Sequence, residues 1–136
     1  MNFNKYEPSL SALVDTLIPA DDYPSGSEAG VIDYLKRQLE GDLIGQAPLL
    51  LTCLDCLDKE AMAAYRLQFS DLDASERESL LQSLDSNISS LVWPISPRDF
   101  IQRLSHLAAE GYYSDPGNGG NRNQISWKMI GFKVTS

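Results

Sequence analysis

Pro48-Leu49-Leu50-Leu51-Thr52-Cys53-Leu54-Asp55-Cys56-Leu57-Asp58-Lys59-Glu60-Ala61-Met62-Ala63-Ala64-Tyr65 is the stretch that decides the fold class. Leu50, Leu54, Leu57, Ala61 and Tyr65 return at the 3.6-residue period of one helix face. Pro48 suits a first helical turn, where a missing N–H costs nothing. The pattern predicts the longest helix of the chain, a central one over 48–65. Leu49, Leu51, Met62 and Ala63 fall off that seam, so protein is expected on more than one of its sides, either other helices or a partner subunit.

Working outward, the same period appears on both flanks. Leu10, Leu13, Val14, Leu17 and Ile18 predict a first helix over 8–18, with Pro8 in its first turn and Pro19 stopping it. Asp21, Asp22, Pro24 and Gly26 make 20–26 a connecting loop. Ser25 followed by Glu28 fits a capping box, and Val31, Ile32, Leu35 and Leu39 then predict a second helix over 26–40, ended by Gly41. Beyond the central helix, two overlapping boxes, Asp73 with Glu76 or Ser75 with Glu78, precede Leu80, Leu81 and Leu84 and announce a fourth helix. Residues 87–96 read as an irregular connection whose Trp93 is expected to be packed. Ser96, Pro97 and Asp99 open a fifth helix carrying Phe100, Ile101, Leu104, Leu107 and Ala108, which Gly111 is expected to end.

The remaining stretch is of another kind. Gly117, Gly119 and Gly120 admit backbone angles closed to other residues, Asn118, Asn121 and Asn123 tolerate the left-handed region, and Pro116 removes a donor. Residues 111–132 therefore read as a shaped surface loop, pinned by Tyr112 and Tyr113 on one side and Trp127 and Phe132 on the other. Packing on its own domain and recognition of a partner are evenly weighted for it. Alternation of period two is confined to Ile125, Trp127 and Met129, too short for a sheet. The fold class is all-α: a single domain over 1–136, about five helices with a long Gly/Asn-rich C-terminal loop.

Composition bounds the function. Eleven basic against nineteen acidic residues give a net charge of −8 over 136 residues, a surface that repels nucleic acid and anionic lipid. Apolar runs such as 48–51 are far shorter than the ~20 residues of a membrane span. The first eight residues carry no basic cluster, apolar core or twin arginine, so no export signal is expected in them. Two cysteines make no disulfide framework.

Reactive constellations are weak. Cys53 and Cys56 have redox or zinc spacing, yet lie inside a helix and have neither further cysteines nor more than one histidine to complete a site. They read as small packing or contact residues. His106 projects opposite Leu104 and Ala108 and reads as a solvated histidine without a nucleophile or orienting carboxylate. Asp21 with Asp22 and Asp71 with Asp73 lack the ligand alternation of a calcium loop. The order Gly117-Asn118-Gly119-Gly120-Asn121-Arg122 is neither GxGxxG nor a phosphate loop. No catalytic, cofactor-binding or metal-binding residue is assigned in this chain.

Gly111-Tyr112-Tyr113-Ser114-Asp115-Pro116, Gly119-Gly120-Asn121 and Trp127-Lys128-Met129-Ile130-Gly131-Phe132 together resemble the signature of the gluconate 2-dehydrogenase subunit 3 family. Leu17-Ile18-Pro19-Ala20-Asp21, then Pro24, Gly26 and Glu28-Ala29-Gly30-Val31-Ile32-Asp33-Tyr34, is similar to the family's opening. Between 42 and 100 the likeness is helical pattern and Phe69-Ser70-Asp71-Leu72. The resemblance implies a small subunit, not an enzyme by itself, that binds and helps mature the large FAD-dependent subunit of glucose-methanol-choline type in a sugar or polyol dehydrogenase. FAD would sit in that partner, often with a cytochrome c as third component. The family commonly supplies an export signal for both, which implies a periplasmic complex; without a signal in this sequence, a cytoplasmic one stays open. Joined to the loop, the resemblance nominates Tyr112, Asp115, Pro116, Gly119, Gly120, Asn121 and Trp127, with Pro19, Asp21 and Pro24, as partner-binding residues. The alternative from another class is a free-standing helical module that binds a small ligand or regulator.

Overall fold

The first predicted helix proves to be the one that other elements surround. In the computed structural model, which describes residues 3–20 and 23–114, α1 spans Glu7–Leu17 and buries Ser9, Leu10, Ala12, Leu13, Val14 and Leu17. A helix apolar or small on nearly every side belongs in an interior. The others are α2 (Val31–Glu40), α3 (Ala47–Tyr65), α4 (Ala74–Asp85) and α5 (Pro97–Ser114), with short 3-10 turns at Phe3–Lys5, Ile44–Gln46 and Phe69–Asp71. There is no strand among the described residues. Both α1 and α5 pack against all the other helices, while α2, α3 and α4 each lie against that pair. The core is a single cluster running from Phe3 to Tyr112.

The all-α class stands as expected, with three corrections. The longest helix, α3, is not the hub; leucine density marks its length, whereas α1 is buried on most of its sides, Ser9 and Ala12 included, and meets every other helix. The second helix begins at Val31 and not at 26, because Gly30 takes the left-handed conformation (φ 85°) and breaks the turn of 26–30 from the helix proper. The predicted Ser25–Glu28 box does form, with Ser25 N–H donating to Glu28 at 2.9 Å and Glu28 N–H to Ser25 Oγ at 3.3 Å, but it closes that isolated turn. Finally, α5 continues past Gly111 to Ser114, so 111–114 is helix and not loop. Gly111 is there for contact: a Cβ on it would meet Tyr34 Cδ2 at 2.8 Å and Cγ at 3.0 Å.

Caps and polar ties fix the remaining joints. Of the two boxes offered for α4, Asp73 and Glu76 are the pair, at 3.0 and 2.8 Å. Ser96 caps α5, accepting from Asp99 N–H at 3.1 Å. Ser9 Oγ of α1 donates to Asp58 of α3, and Asp58 also accepts from Phe69 N–H at 3.2 Å, which ties three elements together. Arg77 Nη2 donates to Ser70 O at 2.6 Å, with its guanidinium over the Phe69 ring.

The second covered side of α3 is real but is not the one expected. Leu51 joins the core, whereas Met62 and Ala63 are exposed. The additional buried residues are Cys53, Cys56 and Glu60, spaced i, i+3, i+7. What lies over Cys53 and Glu60 is the chain's own 87–96 connection.

Candidate functional site

Two of the nominated groups meet at one end of the molecule. Tyr112, near the end of α5, is fully buried, and its hydroxyl donates to the Pro24 carbonyl at 2.8 Å across 88 residues of sequence. This clasp fixes the turn at Pro24 to the C-terminal part of α5. Asp15 of α1 accepts from Ser27 N–H at 2.7 Å and Ser27 Oγ at 2.6 Å, and Gly26 N–H donates to Ile18 O at 2.9 Å. Ser25's N–H and then its hydroxyl hold the Glu28 carboxyl below the usual range. Beside them Tyr34 donates to Glu110 at 3.1 Å, and burial, then that acidic neighbour, pushes the phenol up.

Surface availability differs among the nominated residues. Pro19 is exposed and Pro24 half-buried. Tyr112 offers no surface; it props the turn from inside. Asp21, Asp115, Pro116, Gly119, Gly120, Asn121 and Trp127 lie outside the described residues.

Among the described residues the candidate reactive groups are two thiols and one imidazole. Cys53 and Cys56 are free and buried. Burial, then the neighbouring Cys56, pushes the Cys53 thiol up to about 11 against a partial pull from Arg103, and burial raises Cys56 as well. Thiols so shifted are protonated at neutral pH and poor nucleophiles. His106 is exposed on α5, on the rim of a shallow depression of about 390 Å³ shared with Asp99, Gln102, Arg103 and Gln46. That lining brings no hydroxyl or thiol to the imidazole. Among the described residues no group of three or more metal-ligating side chains converges, and no helix is long and apolar enough to cross a membrane.

Sequence reasoning missed Glu60. It is 4% exposed inside α3 and accepts from Ser90 N–H (3.1 Å), Ser90 Oγ (2.8 Å) and Trp93 Nε1 (2.9 Å), so one carboxylate holds the 87–96 connection. Trp93 is packed as expected, its ring 5.7 Å from Phe100. The available signal was the indole N–H, which needs an acceptor once packed, together with an acidic residue on the Cys53–Cys56 face.

A protein-family model described as Gluconate 2-dehydrogenase subunit 3 matches residues 7–133. Searches of curated proteins and of solved structures return no match. The match covers both resembling blocks and the helical middle between them, and it implies a partner within a dehydrogenase complex.

Proposed function

The chain belongs to the gluconate 2-dehydrogenase subunit 3 family, and we propose that it is the accessory subunit that binds the large FAD-containing subunit and helps it mature. The observation that carries this is the Tyr112–Pro24 clasp, which joins the proline turn to the departure point of the glycine-rich segment. The first block, at Pro24, thus meets the described start of the second, at Tyr112. A partner that engages Pro19 and Pro24 also meets the end of α5 that leads into the glycine-rich sequence. Because the turn is already fixed by Asp15, Glu28 and Tyr112, little ordering entropy opposes docking there. Flavin and catalytic groups belong to the partner, with a cytochrome c as a further component and the periplasm as the site of the complex.

Co-expression with the large subunit tests the reading. Wild-type chain should co-purify with it, and Gly119→Val with Gly120→Val should lower both recovery and flavin loading. Unchanged recovery and loading in that variant would refute docking through this end. A second reading, a module for a small ligand, draws only on the depression beside Arg103 and His106. Calorimetry of sugars and sugar acids on the isolated chain separates the two, since the accessory role predicts no heat.

A further inference from the structure

The 87–96 connection is closed at its neck and tied to one face of α3. Asn87, at φ 60°, accepts from Arg98 N–H at 3.1 Å, so the two ends of the stretch meet. Ile88 N–H donates to Ser83 O of α4 at 2.9 Å, and Ser89 Oγ donates to Leu91 O at 3.0 Å within the stretch. Loops with adjoining ends and bonds of their own behave as compact units. Polar ties from this unit to α3 are the three bonds to Glu60 and one from Ile95 N–H to the Cys53 sulfur.

Burial separates the unit from what it covers. No residue of 87–96 is buried: Leu91, Trp93 and Ile95 are half-buried and the rest are exposed. Trp93 and Ile95 are the residues of the stretch that pack against the core, Trp93 on the Phe100 ring. Beneath lie Cys53 at 0% exposure and Glu60 at 4%. A segment with few buried apolar contacts opens at a lower free energy than the core it rests on. The neck bonds involve neither Glu60 nor Cys53, so they persist when the carboxylate lets go.

We propose that 87–96 is a strap that opens by local unfolding, hinged at Asn87 and Arg98 and latched by Glu60, and that its opening admits a low-molecular-weight disulfide to Cys53. In that exchange Cys53 loses its proton to solvent and its thiolate attacks one sulfur of the disulfide. A new S–S bond forms, the old one breaks, and the other half leaves as a thiolate with the bonding pair. Cys53 is faced by Cys56 from its own helix, Arg103 from α5 and Ile95 N–H from the strap. Burial is the first cause of its rise to about 11, so lifting the strap lowers it and increases the reactive thiolate fraction. At 0% exposure the thiol leaves no room for the added half beneath a closed strap. Linkage then runs both ways: opening permits modification, and modification holds the strap open. The strap, its latch and the thiol form a thiol-sensitive conformational switch.

Reaction of dithiodipyridine with the folded chain at pH 8, in a Cys56→Ala background that leaves Cys53 as the single thiol, tests the proposal through the absorbance of the released thiopyridone. The unaltered latch should give a slow reaction. Glu60→Gln should speed it about tenfold, and Ser90→Ala, at an exposed position, about threefold. Gly26→Ala crowds Val14 of α1 and touches neither strap nor latch; it lowers the stability of the whole chain but should leave the rate within about twofold. If the thiol is reached only by global unfolding, Gly26→Ala will accelerate the reaction as Glu60→Gln does, and the strap is refuted. A rate that neither Glu60→Gln nor Ser90→Ala changes refutes it too. In the mixed disulfide, amide exchange over 88–95 should be about tenfold faster than in the unmodified chain and should return to its former rate on reduction. Exchange unaltered by the adduct would overturn the switch.

Discussion

Replacing Glu60 should loosen the 87–96 connection before it loosens the helical core. Three donors converge on this carboxylate, and hydrogen bonds to a charged group contribute about 1.5–3 kcal/mol each. Ser90 is exposed, so water can take over its two bonds at small net loss. The half-buried Trp93 N–H has no such easy replacement, and an unsatisfied donor costs about 1–3 kcal/mol. Glu60→Ala adds the loss of the side chain's packing, for a total of about 2–4 kcal/mol. Glu60→Gln keeps one acceptor but turns an amide N–H₂ toward donors, so about 1–2 kcal/mol is expected. Urea unfolding followed by far-ultraviolet circular dichroism should show a lower midpoint at unchanged slope. Hydrogen exchange should accelerate in 88–95 before it does in α1. The exposed Glu78→Gln serves as control and should stay within about 0.5 kcal/mol of wild type. Glu60→Ala behaving like that control would refute the role given to this carboxylate.

Other consequences follow from single contacts. Gly26→Ala would place its Cβ 2.3 Å from Val14 Cγ1 and 3.3 Å from the Val14 carbonyl, and should destabilise by about 1–3 kcal/mol, seen as a lower melting temperature. Tyr112→Phe removes the donor to Pro24 and should cost about 1 kcal/mol in urea unfolding, with faster exchange at Gly26 and Ser27. The Cys53 thiol, pushed up to about 11 from 9.0, should resist alkylation at pH 8 until the chain unfolds. Because its folded value lies above its unfolded one, the associated stability is fully present below about pH 9 and is lost as pH rises through about 11. Cys53→Ala should flatten that alkaline decline, and an equal decline in both proteins would contradict it.

Helices were legible because their signals are local. The period of Leu50, Leu54 and Leu57, the box at Asp73 and the cap at Ser96 each act within a turn or two, and each appears in the structure. The centrality of α1 was not legible, since which helix others surround depends on contacts between distant segments. Gly111 illustrates the same limit. A glycine near a helix end suggests a stop, but here the missing side chain makes room for Tyr34 from α2. At the candidate site, the proline turn and Tyr112 could be nominated from sequence, whereas their hydrogen bond could not. Glu60 was hidden because an acidic residue inside an amphipathic helix ordinarily faces water, and only the folded connection reveals its three donors.

The proposed role is to serve a flavoprotein partner through shape. Its most direct measurement is the flavin-to-protein ratio of the large subunit produced with and without this chain. Near-stoichiometric FAD is expected when the chain is present and a clearly lower ratio when it is absent. Equal flavin content in both preparations, with no complex recovered from the first, would contradict it.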